Sequence, residues 1–342
     1  MEEQKIKIKV GFTSGDMNGV GAEILLSLLA DNKLLSLITP IIYAPIKNLK
    51  YISSHIGLAL SFNKINSPKE SQENKINVID NFKTFADVSF GDMNKEMGKT
   101  AFHSIKNSVQ DLKDKKIDVL VTAPINKEAI HSDSFKFMGH TDYIDSQIDG
   151  SAVMMMVSDE LKVALLTEHI PIAKVTETIT KDLVRDKIKN LHNTLIRDFQ
   201  IEKPKIAILS IDPHAGDGGV IAKNDQEVTV PVIKEMNDNG FLVYGPFSSD
   251  SFFGSLEYKK YDITVASFHD QGLIPFKTLS FGKGVNYSSG LERIRTSPDH
   301  GTAYRIAGKG EASKDSFLTS IFLALDIYKM RKTHDEYSKD KL

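Results

Sequence analysis

Cysteine is absent from the 342-residue chain. That excludes disulfides, thiolate nucleophiles and cysteine-built zinc or iron–sulfur sites, and it leaves any metal to His and carboxylates. No apolar run approaches the ~18 to 20 residues of a membrane span. The N-terminus, MEEQKIKIKV, alternates Lys with Ile and Val and lacks the apolar stretch of a secretory signal. The expectation is a cytoplasmic protein with no membrane partner. An excess of either charge is also lacking: 43 Lys and Arg stand against 45 Asp and Glu, a net charge near −2 with no long single-sign block. Nucleic acid would therefore find no electrostatic footprint. Repeats and Pro/Ser-rich linkers are missing, and small polar ligands remain as the expected partners.

What is present is an ordinary globular composition, 41% hydrophobic and 26% charged. The length exceeds the roughly 150 residues of one domain, so two lobes are expected. Short apolar runs alternate with amphipathic stretches, the βαβα pattern of a layered α/β protein. Strands are predicted at KIKVGFT, TPIIYA, DVLVTA, AVMMMVS, KVALLTE, KIAILSI, FLVYG and DITVASF. Helices are predicted at GAEILLSLLA, GKTAFHSIKNSVQDLKD, TKDLVRDKIKNLHNTLIRDF, NDQEVTVPVIKEMND and SKDSFLTSIFLALDIYKM. In the second of these, Ala101, Ile105, Val109 and Leu112 recur at helical spacing. Pro231 interrupts the fourth. Residues 60 to 95 are polar and poorly periodic and receive no assignment.

Open α/β sheets bind ligands outside the carboxyl ends of their strands. Three of the ten histidines stand at such ends: His169 after KVALLTE, His214 just past KIAILS, and His269 directly after DITVASF. A lone strand-end His usually bonds nearby backbone; three such residues point to one shared metal site. SGDMNGVGAEILL follows the first strand in the position of a phosphate-binding loop, but its glycines, Gly15, Gly19 and Gly21, match neither the G-x-G-x-x-G fingerprint nor a P-loop. The plainer reading is a tight turn with Asp16 or Asn18 capping the helix. TAPINKEAI is a second strand-end loop, and in GHTDYI the adjacent His140 and Thr141 offer donors suited to an oxyanion.

Residues 269 to 310 carry His269, Asp270, Lys277, Asn286, Arg293 and Arg295 among seven glycines with little amphipathic pattern. They read as a long irregular stretch, which compact domains keep for function. Arg forks onto two oxygens and Lys supplies point charge, a combination suited to phosphate or carboxylate.

In GDMNGVGAEI, TAPINKEAI, GHTDYI, DPHAGDGG, HDQGLIPFK, GKGVN and IRTSPDHGTAYRIAGKG, the chain resembles the 4-hydroxythreonine-4-phosphate dehydrogenases of pyridoxal phosphate biosynthesis. The resemblance implies a two-domain α/β fold like that of isocitrate and isopropylmalate dehydrogenases, with an active-site cleft between the domains. It divides the chain into 1–128 with 285–342 on the cofactor side, and 129–284 on the metal and dimer side. It also implies a homodimer with a shared site, in which His169, His214 and His269 hold one divalent ion, Zn, Mg, Co or Mn. His140, Thr141, Lys277, Asn286 and Arg295 match substrate-binding positions, and Asp250 and Asp270 match acidic residues near the reacting atoms. His300, Gly301, Thr302 and Ala303 fall in the segment that would contact NAD or NADP.

The implied reaction is NAD(P)-dependent oxidation of 4-phosphooxy-L-threonine at its 3-hydroxyl, followed by loss of CO2. Dehydrogenation of 4-phospho-threonate or 4-phospho-erythronate is the alternative within the same motifs. A metal-dependent phosphohydrolase would use the same histidines and oxyanion pocket, though HGTAYRIAGKG argues against it, and a non-catalytic phosphometabolite binder would need the metal site to be vestigial. The chain departs from the family's usual GDPAGIGPEI at Met17, Asn18 and Ala22, and it has Asp212 where Asn is commoner before the Pro.

Overall fold

The computed structural model describes residues 7–339 apart from 84 and 134. The chain divides into two compact units, Met1–Asp149 with Glu292–Tyr328, and Gly150–Leu291 with Lys329–Leu342. The first unit opens with β1 (Ile8–Thr13), α1 (Gly21–Leu29), α2 (Asn32–Leu37), β2 (Ile38–Tyr43) and α3 (Ile46–His55). It continues with β3 (Phe62–Ile65), β4 (Ile76–Ile79), α4 (Lys95–Lys113), β5 (Val119–Val121), α5 (Lys127–Ile130) and α6 (His140–Asp145). The second unit holds β6 (Gly150–Val157), β7 (Lys162–Leu165), α7 (Val175–Thr178), α8 (Lys181–Phe199), β8 (Lys205–Leu209) and α9 (Val230–Asp238). It ends with β9 (Leu242–Phe247), α10 (Ser249–Gly254), β10 (Ile263–Ala266), α11 (His269–Ser280) and β11 (Val285–Leu291). The chain then returns to the first unit for β12 (Ile294–Pro298) and enters α12 (Asp315–Lys339).

In the first unit the strands run β3-β4-β2-β1-β5-β12, and every pair is parallel. Parallel sheets are covered on both faces, so their central strands read as unbroken apolar runs. Accordingly Val10, Phe12, Ile41, Ile42, Val119, Leu120 and Val121 are all fully buried. The side chains of Ala101, Ile105, Val109 and Leu112 form the buried stripe of α4, as their spacing predicts. Asn94 caps that helix by accepting from the N–H groups of Glu96 and Met97.

In the second unit the order is β11-β6-β7-β10-β8-β9. β7, β10, β8 and β9 are mutually parallel, while β6 pairs antiparallel with both β7 and β11. Met156, Val163, Leu165, Ala207, Leu209 and Phe276 share one buried cluster here. The predicted helix around Pro231 is real but not uniform. A wide π turn over Asp225–Thr229 runs directly into α9, and Pro231 falls at the junction of the two, in the first turn of α9.

Two expectations change. Residues 60–95 contain the short strands β3 and β4. The stretch 269–310 is not irregular: it begins with the twelve-residue α11 and continues into β11 and β12. Gly272 and Pro275 inside α11 and the Ser-rich β11 blur the periodicity that would have revealed them.

Candidate active site

In the second unit, β7, β10 and β8 are adjacent parallel strands, and each is followed by one of the three histidines. Two strand-end links hold their carboxyl ends together. Thr167 Oγ1 donates to the Ser267 carbonyl at 2.7 Å, and Leu166 N–H donates to the Ala266 carbonyl at 2.8 Å. Gln271, in the first turn of α11, ties three loops at once. Its Oε1 accepts from Ser267 N–H at 2.6 Å, and its Nε2 donates to the Ser210 carbonyl at 2.8 Å and to Ser249 Oγ at 2.7 Å.

The rings of His169 and His269 lie 5.7 Å apart, centroid to centroid. Metal–nitrogen bonds of 2.0–2.1 Å would set two imidazoles on one ion roughly 5 Å apart, so this pair fits a shared cation. His269 Nδ1 is 2.7 Å from Asp270 Oδ1. As Nδ1–H it donates to the carboxylate and leaves Nε2 as the nitrogen with a free lone pair, the arrangement seen where a carboxylate orients a metal-bound histidine. The Ser248 hydroxyl, and after it the Ser251 N–H, hold the Asp250 carboxyl below its usual range, and His214, near enough to act on it electrostatically, adds a smaller effect. A cavity of about 490 Å³ is lined there by His214, Asp250, Ser248, Phe268, Gln271 and Ile172. Among the described residues no group of three His, Asp or Glu is close enough to hold a metal ion.

The turn that carries His214 is left-handed. His214, Ala215, Gly216, Asp217 and Gly218 have φ of 52°, 53°, 77°, 45° and 64°. Non-glycine residues in that region cost roughly 1–2 kcal/mol each, so the turn must be held from outside. Two buried carboxylates do this. Asp225 accepts from the N–H groups of Ile211 and Asp212 and from the Thr229 hydroxyl. Asp212 accepts from Asn224 N–H and Nδ2, so the residue that departs from the family pattern serves the loop's own backbone.

The first unit gathers a different chemistry. Arg295, in β12, is only 2% exposed. Its Nε and Nη2 donate to Thr122 Oγ1 at 3.0 and 2.7 Å, and burial pushes its pKa down to about 9. His140 opens α6. Burial, and the charges of Arg295 and Lys127, hold its imidazole well below the usual range, so it is neutral at pH 7. Its Nε2 is buried with no partner among the described residues. A buried guanidinium, a lysine and a neutral imidazole form a receptor for an oxyanion. Thr141 follows on the same helix.

The loop after β1 lies against the 302–308 segment in this unit. Val20 N–H donates to the Thr302 carbonyl at 2.9 Å, and a Cβ on Gly19 would come within 2.5 Å of that oxygen. Val20, without a side-chain bond, is the N-cap of α1, so neither Asp16 nor Asn18 caps it. Asp16 accepts instead from Asn18 N–H and the Tyr304 hydroxyl. Asn18 accepts from Ser89 N–H and donates to the Asp92 carbonyl. His300 Nε2 is buried without a partner among the described residues, and Gly301 and Ala303 are exposed beside it.

The predicted residues thus fall into two groups. His169, His214, His269, Asp250, Asp270, Lys277 and Asn286 belong to the second unit, and His140, Thr141, Arg295 and residues 300–303 to the first. Asn286 Oδ1 is a buried acceptor without a partner among the described residues. Sequence reasoning missed Thr122, Lys127 and Gln271 as individuals. All three lie in motifs it had marked, TAPINKEAI and HDQGLIPFK, and a polar residue at a strand end was the available signal.

Residues 36–324 match the family described as pyridoxal phosphate biosynthetic protein PdxA. A 4-hydroxythreonine-4-phosphate dehydrogenase of Bacteroides thetaiotaomicron is 42% identical over 97% of this chain and 91% of its own length. A D-threonate 4-phosphate dehydrogenase of Cupriavidus necator is 35% identical over 91% of this chain and 95% of its own. The crystal structure of a 4-hydroxythreonine-4-phosphate dehydrogenase from Klebsiella pneumoniae superposes with a TM-score of 0.81 at 31% identity, covering 95% and 99% of the two chains.

Proposed function

Since the chain belongs to the PdxA family of pyridoxal phosphate biosynthetic proteins, we propose that it oxidises the 3-hydroxyl of 4-phosphooxy-L-threonine with NAD or NADP. Decarboxylation then gives 3-amino-2-oxopropyl phosphate. Dehydrogenases of this family are oxidoreductases acting on a CH–OH group. The observation that carries the reading is the delivery of three histidines from three adjacent parallel strands, two of them ring to ring.

His169, His214 and His269 would hold a divalent cation, Zn, Mg, Co or Mn, which when bound supplies Lewis-acid polarisation at the reacting carbon's oxygen. The oxidised nicotinamide, when bound, accepts the hydride. Asp270 keeps His269 in its ligating tautomer, which makes it a positioning residue. Asp250, held at 2.6 Å by the Ser248 hydroxyl and facing His214, is the better placed of the two acids to take the hydroxyl proton. Arg295, His140 and Thr141 bind phosphate oxygens, Lys277 adds positive charge, and Asn286 Oδ1 accepts a substrate N–H or O–H. His300, Gly301, Thr302 and Ala303 contact the cofactor.

We further propose that two copies assemble with a shared site. In the second unit the large apolar side chains of Ile172, Val220, Ile274 and Phe281 expose 64–84% of their surfaces, and covering such side chains is what an interface does.

The test is reduction of NAD or NADP, followed by absorbance, with each phosphorylated four-carbon acid and each metal. Reduction with 4-phosphooxy-L-threonine that disappears in His214→Ala is the expected result. Turnover with 4-phospho-D-threonate alone would move the substrate to the second relative's. Phosphate release without reduction would overturn the reading.

A further inference from the structure

Three aromatic rings of the first unit have no task in the reaction proposed above. Tyr51 and His55 stand one turn apart on α3, and Phe90 joins them from the loop before α4. Ring centroids are 5.9 Å apart for Tyr51 and His55, 6.1 Å for Tyr51 and Phe90, and 4.8 Å for His55 and Phe90. Half of the Tyr51 surface is open to solvent. Asn18, one of the departures from the family motif, fixes the loop that presents Phe90 through its bonds to Ser89 and Asp92.

This aromatic shelf touches the 301–310 segment. His55 Nε2 is 3.1 Å from the Gly308 carbonyl. A Cβ on Gly308 would come within 2.7 Å of the Phe90 ring, and one on Gly91 within 3.2 Å of the Tyr304 carbonyl. Glu23 reaches the segment from α1 but is 2% exposed and spends Oε2 on Gly308 N–H. Asp16, also buried, is taken up by the Tyr304 hydroxyl at 2.6 Å. Arg305 and Lys309, both exposed, are the segment's cations, and among the described residues neither has an ion-pair partner.

A dinucleotide site that selects NAD places a carboxylate at the ribose 2′-hydroxyl, whereas an Arg there accommodates the 2′-phosphate of NADP. Aromatic faces stack on bases with little regard to identity. We propose that this shelf receives the adenine of the cofactor and that Arg305 and Lys309 pair with a 2′-phosphate, so that the chain prefers NADP to NAD. The inference rests on the dehydrogenase reading above and adds the identity of the cofactor.

Calorimetric titration with adenosine 2′,5′-bisphosphate and with 5′-AMP tests it without turnover. The bisphosphate is expected to bind roughly tenfold tighter or more, and to do so equally in Arg295→Met, which removes the other anion receptor. Arg305→Asp should bring the two affinities together, while Tyr51→Ala should weaken both by a similar factor and keep their ratio. Equal binding of the two fragments by the native chain, or an unchanged ratio in Arg305→Asp, overturns the inference while leaving nicotinamide reduction intact. Failure to bind either fragment also overturns the inference, whereas failure to reduce either cofactor overturns the dehydrogenase reading itself.

Discussion

A guanidinium with 2% of its surface exposed, anchored on a threonine hydroxyl, is costly to bury. Burial destabilises the charged form of Arg295, and an arriving phosphate restores what desolvation took away. Inorganic phosphate should therefore raise the melting temperature by mass action, and Arg295→Met should abolish that response in thermal melts. An undiminished shift in the variant would assign the anion elsewhere. His140 makes a pH prediction with a definite sign. Its folded pKa lies well below the 6.5 of the free imidazole, so below about pH 6.5 the unfolded chain binds more protons than the folded one. The His140 contribution is a stability that falls as pH drops from about 6.5 and is flat above it. Denaturant midpoints at pH 5.5 and 7.5 should differ less in His140→Gln than in the native chain.

Among the elements, the left-handed turn around His214 gives the sharpest contrast. Gly216→Ala would put a Cβ 2.3 Å from the Ala222 carbonyl at a φ of 77°. It should cost about 2 kcal/mol or more, read by urea unfolding. Ala215→Gly relieves a left-handed alanine and should be neutral or stabilising by up to about 1 kcal/mol. The fold was legible wherever a strand is buried on both faces, as in β1, β2, β5 and β10, because burial forces continuous apolar runs. It was not legible in β3 and β4, four residues each, where the fully buried Asn77 looks like a loop residue but donates to the carbonyls of Pro40, Gln72 and Lys75. The histidines were legible because they end strands. Gln271 and Thr122 were not, because their partners, Ser210 and Arg295, are distant in sequence and only the folded sheet brings them near.

For the whole molecule, the proposed assembly makes its own prediction. Phe281 is 84% exposed at a φ of 47°, just past the end of α11, an unfavourable place for an aromatic ring unless a second surface covers it. Sedimentation velocity should show a species of twice the 38.0 kDa chain mass. Ile274→Asp combined with Phe281→Asp should give a folded monomer by circular dichroism that has lost metal affinity as well as its partner. A native chain that sediments as a monomer at micromolar concentration would remove the shared site.

The discontinuity of the first unit has a consequence for biosynthesis. The second unit's strands lie in one uninterrupted stretch, from Gly150 to Leu291, whereas β12, the parallel neighbour of β5, is translated after it. On the ribosome, the fully apolar edge of β5, Val119 to Val121, stays unpaired on one side until the chain has been made as far as β12, Ile294–Pro298. An open apolar edge is a template for wrong pairing. The order of translation therefore makes the first unit the one open to wrong pairing during synthesis.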